Sequence, residues 1–163
     1  MKNPVQYLVH PSPLGPLTLA TTDDGICGVY FHDQRNFKGT TGWQKTASHP
    51  YLDATATQLD EYFAGQRREF NVPLDLQMVG TAFQRSVWHA LLSIQFGRTS
   101  SYGKHALLVD KPRAVRAVGG AIGRNPISII VPCHRVLGSN GALTGYDGGL
   151  DRKKYLLQLE GVL

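Results

Sequence analysis

Three short β-prone runs, residues 5–9, 17–21 and 26–31, open the chain, and turn-forming stretches separate them: Pro11-Ser-Pro-Leu-Gly-Pro16 and Asp23-Asp-Gly25. Turn residues at that spacing predict an antiparallel three-stranded meander. The period then changes. Residues 34–49 are polar, rich in Gly and Thr and without a clear period, which predicts a loop. Leu52, Ala56, Leu59, Tyr62 and Phe63 recur at helical spacing and predict one helix that ends at Gly65 and covers one face of the sheet. Nothing in this first lobe suggests chemistry. Residues 69–79 carry Pro73 and no sustained period, so they read as a connection between an N-terminal domain over 1–78 and a C-terminal domain over 79–163.

The second half has the pattern of a mostly helical lobe. Thr81-Ala-Phe-Gln84 fits a capping box, in which the Thr hydroxyl and the Gln side chain satisfy the first free backbone donors. Phe83, Val87, Leu91 and Ile94, or Trp88, Leu91 and Leu92, supply the apolar stripe of a helix that runs to Phe96-Gly97. A short helix over about 104–109, the turn Asp110-Lys-Pro112 and a second helix begun by that proline resemble a helix-turn-helix unit. On the second helix Val115, Val118 and Ile122 form a stripe to be buried, while Arg113, Arg116, Gly120 and Arg124 share the other side with Ala117 and Ala121. Ile127, Ile129, Ile130 and Val131 predict a buried strand, stopped by Pro132, which presents Cys133 as an exposed, reactive residue just past its end. Residues 137–149 are glycine-rich and form a loop without a Walker-type phosphate motif, and a last helix capped by Asp151 turns Tyr155, Leu156 and Leu159 inward and ends at Glu160-Gly161. The fold class is α/β (α+β), with a three-stranded sheet and helix followed by a helix-turn-helix lobe.

Composition narrows the possible roles. With 163 residues and 42% hydrophobic content the chain buries a real core, and no apolar run approaches the roughly 20 residues that span a bilayer. The N-terminal Met-Lys-Asn-Pro-Val lacks the features of a signal peptide, so the cytoplasm is the expected compartment and no membrane is expected as partner. The formal charge of +5 is weighted to the second half, in Lys104, Lys111, Arg113, Arg116 and Arg124 and again in Arg135, Arg152, Lys153 and Lys154, which favours a polyanionic partner. Only Cys27 and Cys133 occur, without metal-ligand spacing to each other or to histidine pairs. Cys27, in Ile-Cys-Gly-Val-Tyr-Phe, reads as a small buried hydrophobe, and a Cys27–Cys133 bridge stays open by arithmetic alone.

A free thiol titrates near 8.5, so Cys133 needs help to react at neutral pH, and His134, Arg135 and Glu160 are the local candidates. On an extended strand adjacent side chains point apart, so His134 would serve Cys133 through a turn or a bridging water, with a carboxylate on its other nitrogen fixing the tautomer. Adjacency leaves a structural cysteine open, just as spacing leaves the arginine face open as a solvated one.

Gly80-Thr-Ala-Phe-Gln84 with Val87-Trp88, Ser101-Tyr-Gly103, Arg116-Ala-Val-Gly119, Asn125-Pro126, Pro132-Cys-His-Arg-Val136, Gly145-Tyr146 with Gly148-Gly-Leu150, and Leu156-Leu-Gln-Leu-Glu160 together resemble the O6-alkylguanine-DNA alkyltransferase family, over the whole second lobe and in order. The first lobe resembles that family's ribonuclease-H-like N-terminal domain in length and element order. The resemblance implies direct-reversal repair: Cys133 takes the alkyl group from O6 of guanine in duplex DNA, with O4-alkylthymine as a second lesion, and is consumed in one turnover without a cofactor. It implies that His134 removes the thiol proton through water, Glu160 holds the imidazole, Asn125 pins the turn and Tyr102 donates to N3 of the leaving guanine. The flipped nucleotide leaves a gap that Arg116 fills, while Ala114, Ala117, Gly119 and Gly120 let the helix lie in the minor groove, with Arg113 and Arg135 also on DNA. In the pocket, the carbonyls of Cys133 and Val136 accept from the guanine amino group, the Asp147 amide faces O6, and Ile122, Tyr146 and Ser128 line the walls. A monomer is expected, and His10, His32, His49 and Cys27 are too few and too scattered for the zinc site of some relatives.

The residues also depart from the pattern. Asp147 stands where a small residue is common, so its carboxylate either slows the reaction beside O6 or points to solvent. Ser128 stands where some members carry proline, and Gln95-Phe96 replaces a frequent proline before Gly97. The rival readings are a relative that flips and flags alkylated bases without repairing them, a cysteine hydrolase or thiol redox enzyme, and a plain helix-turn-helix regulator.

Overall fold

The computed structural model describes residues 3–163; Met1 and Lys2, part of the stretch read above for a signal peptide, lie outside it. The first lobe holds β1 (Gln6–His10), β2 (Leu17–Thr21) and β3 (Ile26–Phe31), paired antiparallel in the predicted order. The loop predicted over 34–49 also contributes a strand, β4 (Gln44–Lys45), parallel to β1, so the sheet has four strands in the order β3-β2-β1-β4. Two paired residues leave no detectable period in a sequence, which explains the miss. Alternation along β2 sends Leu17 and Leu19 into the main core and Ala20 to the opposite face, where it packs with Val5 and Cys27.

Helix α1 (Pro50–Phe63) starts where His49 accepts from the Tyr51 backbone N–H and Pro50 supplies a first-turn residue with no N–H to satisfy. It ends as predicted, with Gly65 at φ 76° just past the cap. Its buried stripe includes Leu52, Leu59 and Tyr62.

In the second lobe α2 (Ala82–Leu91) carries the predicted capping box, with Thr81 and Gln84 each bonded to the other's backbone. Such a cap contributes about 1 kcal/mol. The helix stops at Leu91, and residues 92–97 form turns rather than its last turn, ending at Gly97 with φ 81°. Next come β5 (Ser100–Ser101), α3 (Tyr102–Leu108) and α4 (Val115–Gly123). Pro112 therefore lies in the connecting turn and does not begin α4, whose cap is Ala114. Val115, assigned to the buried stripe, is 39% exposed, and Ala121, assigned to the outer face, is buried beside Val118 and Ile122. At 100° per residue Val118, Ala121 and Ile122 share one arc, and Val115 falls at its edge on the first residue of the helix, where no preceding turn covers it. Trp88 Nε1 donates to the Ala121 carbonyl at 2.7 Å, and His105 Nε2 lies 3.0 Å from the Val87 carbonyl, so buried polar contacts fix all three helices.

The chain closes with β6 (Val136–Leu137), parallel to β5, and α5 (Leu150–Leu159). Helix α5 has Gly149 rather than Asp151 at its cap; Tyr155 is exposed, and Leu156, Leu157 and Lys153 face inward. One hydrophobic cluster runs from Leu17 through Trp88 to Leu156, so the two lobes share a core. Among the described residues no helix is long and apolar enough to cross a membrane.

Candidate active site

Residues 125–132 are not a strand. Only Ile127 makes a ladder contact, a single parallel bridge to Val29, where Val29 N–H donates to Pro126 O and Ser128 N–H donates to Val29 O, both at 3.0 Å. The chain then folds back on itself around Asn125. Asn125 Oδ1 accepts from Ile127 N–H at 3.0 Å, and its Nδ2 donates to the carbonyls of Val131 at 2.8 Å and Ile127 at 3.3 Å. Ile129 sits at φ 73°, a conformation that costs a β-branched residue roughly 1–3 kcal/mol. The side-chain bonds of Asn125 and full burial of Ile127, Ile129 and Val131 hold it there. An apolar run reads as strand by composition, and the Asn125 side-chain bonds that bend it leave no mark on its period.

The turn delivers Cys133–Arg135 as one turn of 3-10 helix, in which Cys133 is 4% exposed rather than exposed as predicted. His134 and Glu160 are also buried. Glu160 Oε2 lies 2.7 Å from His134 Nε2 and accepts from the Tyr62 hydroxyl at 2.6 Å, while Oε1 accepts from Arg135 Nε at 2.7 Å. Burial alone raises the Glu160 carboxyl, but the bonds from His134 and Arg135 outweigh it and bring it down to about 2. Burial pushes His134 down against the pull of Glu160. The carboxylate is thus ionised and answered by Arg135, and the imidazole is neutral with Nε2–H on Glu160. His134 Nδ1 is then an acceptor, buried and without a partner among the described residues. Arg135, grouped above with DNA-binding residues, points inward, with its guanidinium on Glu160 and the Ile94 carbonyl and over the Phe96 ring. It is the buried counter-ion of Glu160, not a surface cation.

Burial pushes the Cys133 thiol up to about 11, against the Asn125 amide and the Lys153 charge. At neutral pH the thiol is therefore protonated, and it reacts only once a base takes its proton. Lys153 was not singled out by sequence beyond its charge. Its ammonium is fully buried, donates to the carbonyls of Val136, Thr144 and Gly145 at 2.7, 2.9 and 3.1 Å, and is brought down by burial to about 8. It ties the glycine-rich loop to the cysteine turn.

Cys133 lines a cavity of about 360 Å³ with Tyr102, Gly119, Gly120, Ile122, Tyr146 and Asp147, a size suited to one planar ring system. Tyr102 donates to the Thr144 carbonyl at 3.1 Å, so it must break that bond to serve a ligand. The Tyr146 hydroxyl is buried without a partner among the described residues. Ser128 is not itself in this lining but is buried next to the Tyr146 side chain, with its hydroxyl 3.3 Å from Gln34 Oε1; Val136 is fully buried and takes Lys153 Nζ on its carbonyl. Above the cavity, Arg113, Arg116, Ala117, Gly120 and Arg124 are exposed and Ala114 and Gly119 half-buried. A Cβ added at Gly120 or Gly123 would meet nothing within 4 Å, so the protein's own packing does not ask for glycine there. Each glycine inside a helix costs about 1 kcal/mol relative to alanine, and what it provides is a flat outer face.

The first lobe, read as free of chemistry, supplies Tyr62 to Glu160, Gln34 to Ser128, and Arg35 and Asn36 to the cavity rim. These residues lie far from the cysteine in sequence and carry no motif, so nothing local marks them.

A buried cysteine, histidine and glutamate behind a base-sized cavity, under a flat cationic helix of a helix-turn-helix, define a nucleic-acid-acting protein with a thiol nucleophile. Two family models cover the chain: the 6-O-methylguanine DNA methyltransferase ribonuclease-like domain at residues 5–76 and the DNA-binding domain of the same family at 82–162. A methylated-DNA–protein-cysteine methyltransferase of Mycolicibacterium paratuberculosis is 48% identical over 156 residues, which cover 96% of this chain and 92% of that protein. One of Haemophilus influenzae is 43% identical, with 96% and 86% covered. The crystal structure of Mycobacterium tuberculosis OGT in complex with DNA superposes with a TM-score of 0.84 at 46% identity, covering 96% of this chain and 91% of that one. The chain belongs to the 6-O-methylguanine DNA methyltransferase family.

Proposed function

We propose that this protein repairs alkylated DNA by direct reversal, moving the alkyl group from O6 of guanine to Cys133 in a single turnover. The observation that carries the reading is that Cys133 is at once buried, on the wall of a base-sized cavity beneath α4, and next to a histidine whose other nitrogen is held by Glu160. His134 Nδ1 takes the thiol proton, directly or through a water, and Glu160 stabilises the imidazolium that forms. Sγ bonds to the alkyl carbon as the carbon–O6 bond breaks and the electron pair passes to O6; the ring then takes up one proton at N1 from solvent, and His134 releases the thiol's proton to solvent, so that charge and protons balance. Tyr102 exchanges its bond to Thr144 for one to N3. The product is a thioether, which has no route back to thiol.

Double-stranded DNA approaches the flat face of α4 from the minor groove, and Arg116 enters the stack as the lesion leaves it. The protein needs no cofactor and acts as a monomer in the cytoplasm. A relative that only flags lesions does without the acceptor thiol, and here the thiol is present, followed by a histidine bonded to Glu160. The test is incubation with a duplex carrying radiolabelled O6-methylguanine: label is expected on the wild-type protein and not on Cys133→Ser. No transfer to wild type, or transfer to the serine variant, overturns the assignment.

A further inference from the structure

Asp147 places a carboxylate at the rim of the cavity that receives the alkylated base. Alkyl transfer leaves an electron pair on O6, and a second negative charge turned towards that atom opposes the step. The structure turns it elsewhere. Asn36, in the segment that follows β3, donates through Nδ2 to Asp147 Oδ1 at 2.7 Å and through its backbone N–H to Oδ2 at 3.1 Å. The backbone N–H of Arg35 reaches the Asp147 carbonyl at 3.3 Å, and Asn36 Nδ2 also donates to the Gly123 carbonyl at 3.2 Å, at the end of α4. Both carboxylate oxygens are therefore answered from the first lobe, and one side chain joins that lobe to the cavity loop and to α4.

We propose that Asn36 is a positioning residue for alkyl transfer: it holds the Asp147 carboxylate away from the leaving O6 and keeps the outer cavity wall in place. The proposal rests on the reading of Cys133 as alkyl acceptor. It explains how a charged residue is accommodated at the cavity rim: Asn36, 111 positions earlier, supplies donors to both oxygens. The first lobe thereby takes part in the reaction, through a residue that no motif identifies.

The test is the single-turnover rate of methyl transfer from O6-methylguanine in a duplex. Asn36→Ala is expected to lower it about tenfold, since the freed carboxylate then faces the developing charge. Combining Asn36→Ala with Asp147→Asn is expected to restore the rate to within about twofold of Asp147→Asn alone, because the amide keeps the carboxylate's shape without its charge. A loss caused only by a loosened loop persists in the double variant. That persistence overturns the proposal, and so does a wild-type rate for Asn36→Ala. Should Asn36→Ala fail to fold, Asn36→Asp sets two carboxylates face to face, and adding Asp147→Asn reverses the polarity of the pair. Recovery in that swapped pair supports the proposal, and equal rates with and without the second change overturn it. Absence of any transfer to the wild-type protein overturns instead the reading of Cys133, and so separates the two failures.

Discussion

Cys27 and Cys133 are equally hidden, 6% and 4% exposed, and burial pushes both thiols up, to about 12 and about 11. They differ in what surrounds them. Cys27 lies on a regular strand against Val5 and Ala20, and the nearby Asp75 charge raises its thiol further. Cys133 lies on a one-turn helix, where an amide and an ammonium work against its burial, a histidine follows it and a cavity opens beside it. Burial therefore does not distinguish the two thiols; what distinguishes them is that the backbone leaves its ladder at Cys133 and brings polar groups with it.

The comparison breaks most directly by exchange of the two residues. Cys133→Ser abolishes label transfer from O6-methylguanine DNA and Cys27→Ser leaves it intact, read by mass spectrometry of the intact protein; label on residue 27 would erase the distinction. Glu160→Gln comes next. It leaves Arg135 buried without its counter-ion, a defect without equivalent around Cys27, and destabilises the fold by about 3–5 kcal/mol in urea titrations. Acid reads the same carboxylate. Its folded-state value, about 2 against an ordinary 4.5, favours the ionised form in the native protein. It thus adds stability that is complete above about pH 4.5 and lost as pH falls towards 2, worth about 3 kcal/mol by linkage. Unfolding curves between pH 7 and 2 are expected to show that loss, and Glu160→Gln to flatten it. Arg116→Ala tests access: it should slow repair in duplex DNA about tenfold more than reaction with a free O6-alkylguanine base, as a residue that fills the stack requires. The smallest effect belongs to Cys27→Ala, which removes one sulfur from a tight cluster and costs about 1 kcal/mol with no change in transfer rate.

Much of the frame was legible before any coordinates. The three antiparallel strands, the capping box at Thr81, the Gly65 stop and the pairing of two helices into a helix-turn-helix all come from contacts within a few residues, which periodicity and cap chemistry report. The Pro-Cys-His-Arg-Val motif marked the candidate acceptor, Cys133. The two-residue strand β4 was beyond reach, and the start of α4 shifted by three positions because proline at a first turn and proline in the preceding turn look alike.

The sequence by itself determined the three-stranded meander, the capped helix α2 and the pairing of α3 with α4, and it singled out Cys133 as the candidate acceptor, because these depend on residue type and on short-range spacing. Only the tertiary structure decided that the run before Cys133 bends around Asn125 instead of extending as a strand, and that Arg135 faces inward to Glu160. Only it placed Lys153, Tyr62 and Asn36 around the cysteine. Each of these depends on hydrogen bonds between buried or partly buried groups, several of them far apart in the chain. A local pattern cannot carry that information, because the unpaired cost that forces such bonds arises only once the core has closed.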